Sequence, residues 1–62
     1  MPWSHENPPE YAIHWPADER EAAIRAGNAA LRFRASDESA TYAGIRAAMR
    51  VRRRKAAKRA VK

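Results

Sequence analysis

SDESATYAGIRAAMRVRRRKAAKRA, running from Ser36 to Ala60, contains no proline and a single glycine. Ser36 is a good N-cap, because its hydroxyl can accept a hydrogen bond from a free amide of the first turn. Asp37 and Glu38 follow, at the positive end of the helix dipole. Nothing after them breaks a helix, so the pattern predicts one helix from about residue 37 that can run on through residue 60. Its inner face is expected to use Ala40, Gly44, Ala47, Ala48 and Val51, with Tyr42, Ile45 and Met49 on the adjoining stripe.

Upstream, a second segment repeats the helical spacing. Ala23, Ile24, Gly27, Ala30, Leu31 and Arg34 share one face of a helix expected over about 17–35. Asp18 with Glu21 three residues later reads as a variant of the capping box, and Glu21 with Arg25 as a surface i,i+4 ion pair. Gly27 and Gly44 each cost about 1 kcal/mol of helix propensity relative to alanine. Their place among alanines on the two inner faces is explained if they let the helix axes approach closely.

Residues 1–16 hold all four prolines and three of the five aromatics. Pro8 and Pro9 exclude regular helix there, since each biases its predecessor away from the α region. Pro9 can open a single turn through Glu10, Tyr11, Ala12 and Ile13, which Pro16 closes. Such a segment is ordered by docking, and Trp3, Tyr11, Ile13 and Trp15 are the residues able to dock it. Trp15 and Phe33 are expected in the core. The fold class is therefore all-α: a small two- to three-helix domain with a proline-rich N-terminal strap and a basic helical arm. Its organisation is a helical domain over 1–51 (strap 1–16, helix about 17–35, helix from about 37) and an arm over 52–62.

Charge separates these parts. Residues 1–38 carry four basic and seven acidic groups, whereas residues 39–62 carry nine basic groups and none acidic. The formal net charge of +6 thus hides a body at −3 and a tail at +9. The nine cations are Arg46, Arg50, Arg52, Arg53, Arg54, Lys55, Lys58, Arg59 and Lys62, and they surround the helix. Arg50–Arg54, Arg54–Lys58, Lys55–Arg59 and Lys58–Lys62 are like-charge i,i+4 pairs, each destabilising by roughly 0.2–0.5 kcal/mol. The free arm is accordingly expected to fray from about Arg53 and to order on a polyanion. Six of the nine are arginines, whose guanidinium forks match phosphate geometry.

Other chemistry has little to stand on. With 62 residues and no cysteine, no disulfide staples the fold, and a core of this size supplies roughly 3–5 kcal/mol at best. Self-association is one remedy, so a homodimer is among the expected states. His5, Glu6, Glu10 and His14 lack a recognisable metal-ligand spacing, so no metal and no cofactor is expected. Neither a Gly-rich phosphate loop nor a serine with a histidine held beside it is legible, so the reading is not an enzyme. No stretch approaches the roughly 20 apolar residues of a membrane span. Charges on all sides also argue against a membrane-surface helix. A cytoplasmic protein is expected, with nucleoid or virion association as an option.

Asn7-Pro8-Pro9-Glu10, Trp15-Pro16, Asn28-Ala29-Ala30-Leu31, Asp37-Glu38-Ser39-Ala40 and Ile45-Arg46-Ala47-Ala48-Met49 together resemble the ChaB family over about residues 7–50. Pro8-Pro9 and Trp15-Pro16 stand where the family has Leu-Pro pairs, the inter-helix loop is much shorter, and the last helix lacks the family's aromatic unless Tyr42 substitutes. The basic tail is no family feature. The resemblance implies a small helical fold with a proline-bearing strap. Functionally it implies either regulation of cation transport or, as in viral relatives, DNA binding, and it transfers no site residue.

The function expected from the residues is nucleic-acid binding, to DNA or RNA, through phosphates and largely independent of sequence. The alternative is a protein-interaction or regulatory accessory module, phage-encoded or bacterial, or a ribosome or capsid component, whose arm docks an acidic protein surface.

Overall fold

The computed structural model describes residues 3–60, the side chain of Ala60 excepted. A 3-10 turn, Glu10–Ala12, precedes helix α1, Ala17–Arg32, and helix α2, Asp37–Ala60. No strand occurs among the described residues, and the fold is all-α.

Pro16 sits at the N-cap of α1, and its carbonyl accepts the Arg20 N–H at 2.9 Å. The expected capping box does not form, because Asp18 already lies inside the first turn. There its carboxylate accepts the Glu19 N–H at 2.8 Å. Glu21 instead makes the expected pair with Arg25 at 3.4 Å and faces His5 at 3.7 Å.

α1 stops three residues before the expected Ala35. Arg34 adopts the left-handed conformation (φ 65°), donating to the Leu31 carbonyl at 3.0 Å, while Ala35 donates to that of Ala30 at 3.1 Å. These are the two bonds of a Schellman close, with arginine where glycine is commonest. The reversal takes Arg34 off the inner face on which helical spacing placed it. Phe33 is 85% exposed, which corrects its expected place in the core. It lies one and two turns beyond Ala29 and Ala26, on the flank of α1 that no other element covers.

Ser36 caps α2 as expected, its hydroxyl accepting the Ser39 N–H at 3.1 Å. The four-residue connection 33–36 makes α1 and α2 an antiparallel hairpin. Gly27 lies level with Ala40, and Ala23 with Gly44. Among the described residues, Ala12, Ala23, Ile24, Ala40 and Ala48 form the buried apolar core, and no large side chain is fully buried. An alanine interface brings the axes close, and that closeness explains Gly44: a Cβ there would come 2.9 Å from the Ala23 carbonyl oxygen.

The strap lies in one of the two grooves of this hairpin. At the loop end, the Asn28 side chain accepts the Trp3 N–H at 2.8 Å and donates to the Trp3 carbonyl at 2.9 Å, as a neighbouring strand would. The Trp3 ring occupies the space above Gly27, where a Cβ would approach it to 2.7 Å. Midway, the Tyr11 hydroxyl sits over Gly44. The glycines therefore do more than bring the helices together; both make room for strap aromatics. At the open end, Trp15 packs edge-on against Tyr11, with ring centroids 5.2 Å apart. The strap also makes backbone bonds of its own, reciprocal ones between Ser4 and Asn7 and the 3-10 turn after buried Pro9.

At 1.5 Å per residue, the 24 residues of α2 span about 36 Å and the 16 of α1 about 24 Å. The arm is the end of α2 that α1 does not match. The molecule is correspondingly elongated, 43 × 21 × 13 Å.

Candidate nucleic-acid interface

Eight of the nine candidate cations, those among the described residues, divide into two groups. Arg52 and Lys55 face the N-terminus of α1. Glu19, only 4% exposed, accepts two hydrogen bonds from Arg52 at one oxygen, from Nε at 3.1 Å and Nη2 at 2.8 Å. Its other oxygen lies 2.8 Å from Lys55 Nζ, which also donates to Asp18 at 3.2 Å. The Arg52 guanidinium lies 5.5 Å from the centroid of the Trp15 ring. A cation over an aromatic face, with its charge spent on a buried carboxylate, is a structural clamp.

This clamp ties α2 to α1 at Arg52 and Lys55, on either side of Arg53, from which the free arm is expected to fray. α2 is one uninterrupted helix across the boundary placed between residues 51 and 52. The acidic first turn of α1 supplies the counter-charge that sequence counting had left unassigned. Side chains lean toward the N-terminus of their own helix. Arg52 and Lys55 therefore reach back along α2, while Glu19 leans toward them from α1.

Lys55 and the two carboxylates favour one another's charged forms. The Lys55 hydrogen bond, then that of Arg52, sets the Glu19 carboxyl below its ordinary range, and burial opposes this without overcoming it. The Lys55 hydrogen bond likewise lowers Asp18. Reciprocally, Glu19 raises the Lys55 ammonium above its usual value.

The second group is Arg46, Arg50, Arg53, Arg54, Lys58 and Arg59. All six are exposed and have no carboxylate within 4.0 Å among the described residues. Lys62 lies outside the described residues. With Arg52 and Lys55 subtracted, the charges no longer encircle the helix evenly. Arg46, Arg50, Arg53 and Arg54 follow i, i+4, i+7, i+8 spacing, which is one helix face, and Lys58 extends the i+4 row. From Arg46 to Lys58 this row is about 18 Å long. Beside it lies a shallow depression of about 260 Å³ in the second groove of the hairpin, the one the strap leaves open. Ala26, Ala43 and Ala47 floor it, and Arg46 and Arg50 form its rim.

His5, Glu6, Glu10 and His14 stay apart; no three metal-ligating side chains gather among the described residues. No described helix is long and apolar enough to cross a membrane.

Fold and site define a strapped α-hairpin that carries a one-sided cationic face on its longer helix. No protein-family model matches the chain, nor does any curated protein or solved structure.

Proposed function

We propose that this protein binds nucleic acid through phosphates, using the outer face of α2: Arg46, Arg50, Arg53 and Arg54, continued by Lys58, with Arg59 on the side of the helix that carries Arg52 and Lys55. The observation that carries the reading is the division of the cations. Two are consumed by Glu19 and Asp18, while the remaining described six stay exposed and without an acidic partner among the described residues. Unbalanced arginines at i, i+4 spacing repel one another in the free protein, and a row of phosphates removes that repulsion. Guanidinium groups engage phosphate bidentately and can read guanine, but adenine readout calls for amide side chains, which this face lacks, so little direct base readout is available to it. Binding is therefore largely independent of sequence, and the role is binding rather than catalysis. The ChaB resemblance bears on this reading only as a proposal of kinship, since Asn28, in the resembling Asn28-Ala29-Ala30-Leu31 patch, here ties the strap down.

Salt titration against random-sequence duplex DNA and RNA tests it. If about five phosphates are neutralised, log K falls against log salt with a slope near −4.5 on duplex DNA, from about −0.9 per contact. Replacing Arg46, Arg50, Arg53 and Arg54 by glutamine takes about 3.6 off that slope. Replacing Arg52 alone leaves the slope within about one contact of the parent. A slope unmoved by the fourfold variant overturns the assignment of this face. Tight binding to an acidic protein, with none to either nucleic acid, favours the interaction-module reading.

A further inference from the structure

We infer that the chain forms a two-fold dimer through an antiparallel pairing of α2 with α2 of a second copy. The seam is the outward stripe Glu38, Tyr42, Ile45, Met49 and Arg53, spaced i, i+4, i+7, i+11, i+15. Tyr42 is 58% exposed and Met49 42%, with Ile45 half-buried between them. Large apolar side chains at this spacing form the kind of narrow seam along which helices pair.

Charge decides the occupant and its direction. The stripe begins with an exposed acid, Glu38, and ends with an exposed, unpaired base, Arg53. An antiparallel second copy sets Glu38 against Arg53 of its partner at both ends, Tyr42 against Met49 in the middle, and Ile45 near the dyad. A parallel copy would instead lay two arginine-rich arms side by side. Such reciprocity is what an isologous interface requires.

Surface area agrees. The chain exposes 4979 Å², against about 4,000 Å² for a compact chain of 7.0 kDa. An elongated chain has surface to spare for a partner, and a standard interface takes about 800 Å² from each. The dyad also brings the Arg46, Arg50 and Arg54 rows of both copies to the same side, away from both copies of α1. The dimer does not depend on that face binding nucleic acid.

Sedimentation equilibrium of the full chain, without nucleic acid, is the test, with far-UV circular dichroism confirming that each variant stays helical. The parent is expected at twice the 7.0 kDa chain mass. Glu38→Arg and Arg53→Glu each weaken the dimer about tenfold, because each disrupts both symmetric pairs, and the two combined restore it. The sequence has no cysteine, so Ile45→Cys gives a clean second readout. Air oxidation links it into a disulfide dimer, while Arg25→Cys on α1 stays monomeric. A parent that remains monomeric up to about millimolar concentration, where association is no stronger than about 4 kcal/mol, overturns the proposal. So does a dimer that Met49→Glu leaves intact, or an Ile45→Cys chain that does not cross-link.

Discussion

Glycine 44 carries more of the fold than any large side chain does. Its missing Cβ leaves space that the Ala23 carbonyl and the Tyr11 hydroxyl both enter, so one position serves helix–helix contact and strap docking together. Helix propensity alone favours Gly44→Ala by about 1 kcal/mol. Packing opposes it: the Tyr11 hydroxyl is the nearest obstacle, and next to it, at 2.9 Å, stands the Ala23 carbonyl oxygen, which is backbone and cannot rotate aside. Packing is the larger effect, so Gly44→Ala should lower the urea midpoint and Gly44→Leu should lower it further, by about 1–3 kcal/mol in total. A raised midpoint for the alanine variant would show that α1 and α2 stand farther apart. At Gly27 the nearest obstacle is the Trp3 ring, a strap side chain, so a substitution there loosens the strap before it separates the helices.

At the scale of elements, the clamp joins the first turn of α1 to the last third of α2, and its pH dependence follows from its pKa shifts. Glu19 and Asp18 are depressed in the folded state. Their contribution to stability is complete above the ordinary carboxylate pKa of about 4 and is lost as pH falls through the lower folded values. Lys55 is raised, so its contribution is complete below about pH 10 and is lost as pH rises through its folded value. The clamp should therefore hold across the neutral range and open at both extremes. Burial also raises the Tyr11 hydroxyl, which adds to the alkaline loss because the folded strap disfavours the phenolate. Amide exchange of residues 53–60, followed from pH 7 to pH 3, should show protection falling at the acid end. Glu19→Gln should show low protection already at neutral pH and a flatter acid response. Unchanged protection in that variant would mean that α2 holds its end by helix propensity alone.

For the whole molecule, the clamp changes what removal of the arm does. Deleting residues 57–62 takes away Lys58, Arg59 and Lys62 but keeps Arg52 and Lys55 on Glu19. The unfolding midpoint should stay near the parent's, while the salt slope on duplex DNA shrinks by about one unit. Deleting residues 52–62 also removes the clamp and the cation over Trp15, so the midpoint falls along with the affinity. Denaturation of the two truncations side by side distinguishes them. Equal midpoints would return Arg52 and Lys55 to the set of free cations. A molecule this elongated, with no large side chain fully buried among the described residues, has little core to spare, and a few contacts at its open end decide how far its order extends.

Local signals determined the elements. The absence of helix breakers after Ser36, the acids that follow it, and the prolines confined to residues 1–16 specified two helices and a strap, because capping and backbone restriction act over a few residues. The start of α2 at Asp37 and the inner faces with Gly27 and Gly44 were legible for the same reason. The end of α1 was not, since Arg34 in the left-handed region is a choice no glycine announced. The site was legible as a set of cations but not as a surface. Charges counted along one helix encircle it, and only the antiparallel register places Glu19 within reach of Arg52 and Lys55. A sum rule was available, because Gly27 opposite Ala40 and Ala23 opposite Gly44 set Glu19 opposite Ala48. Reaching it required knowing first that the hairpin closes through four residues. Asn28 offered no signal at all: its partner is the backbone of Trp3, twenty-five residues away, and backbone groups look alike in every sequence. The chain alone decided which segments are helical and where positive charge accumulates. Tertiary structure decided which charges remain free, because pairing depends on distances between elements that local sequence does not encode.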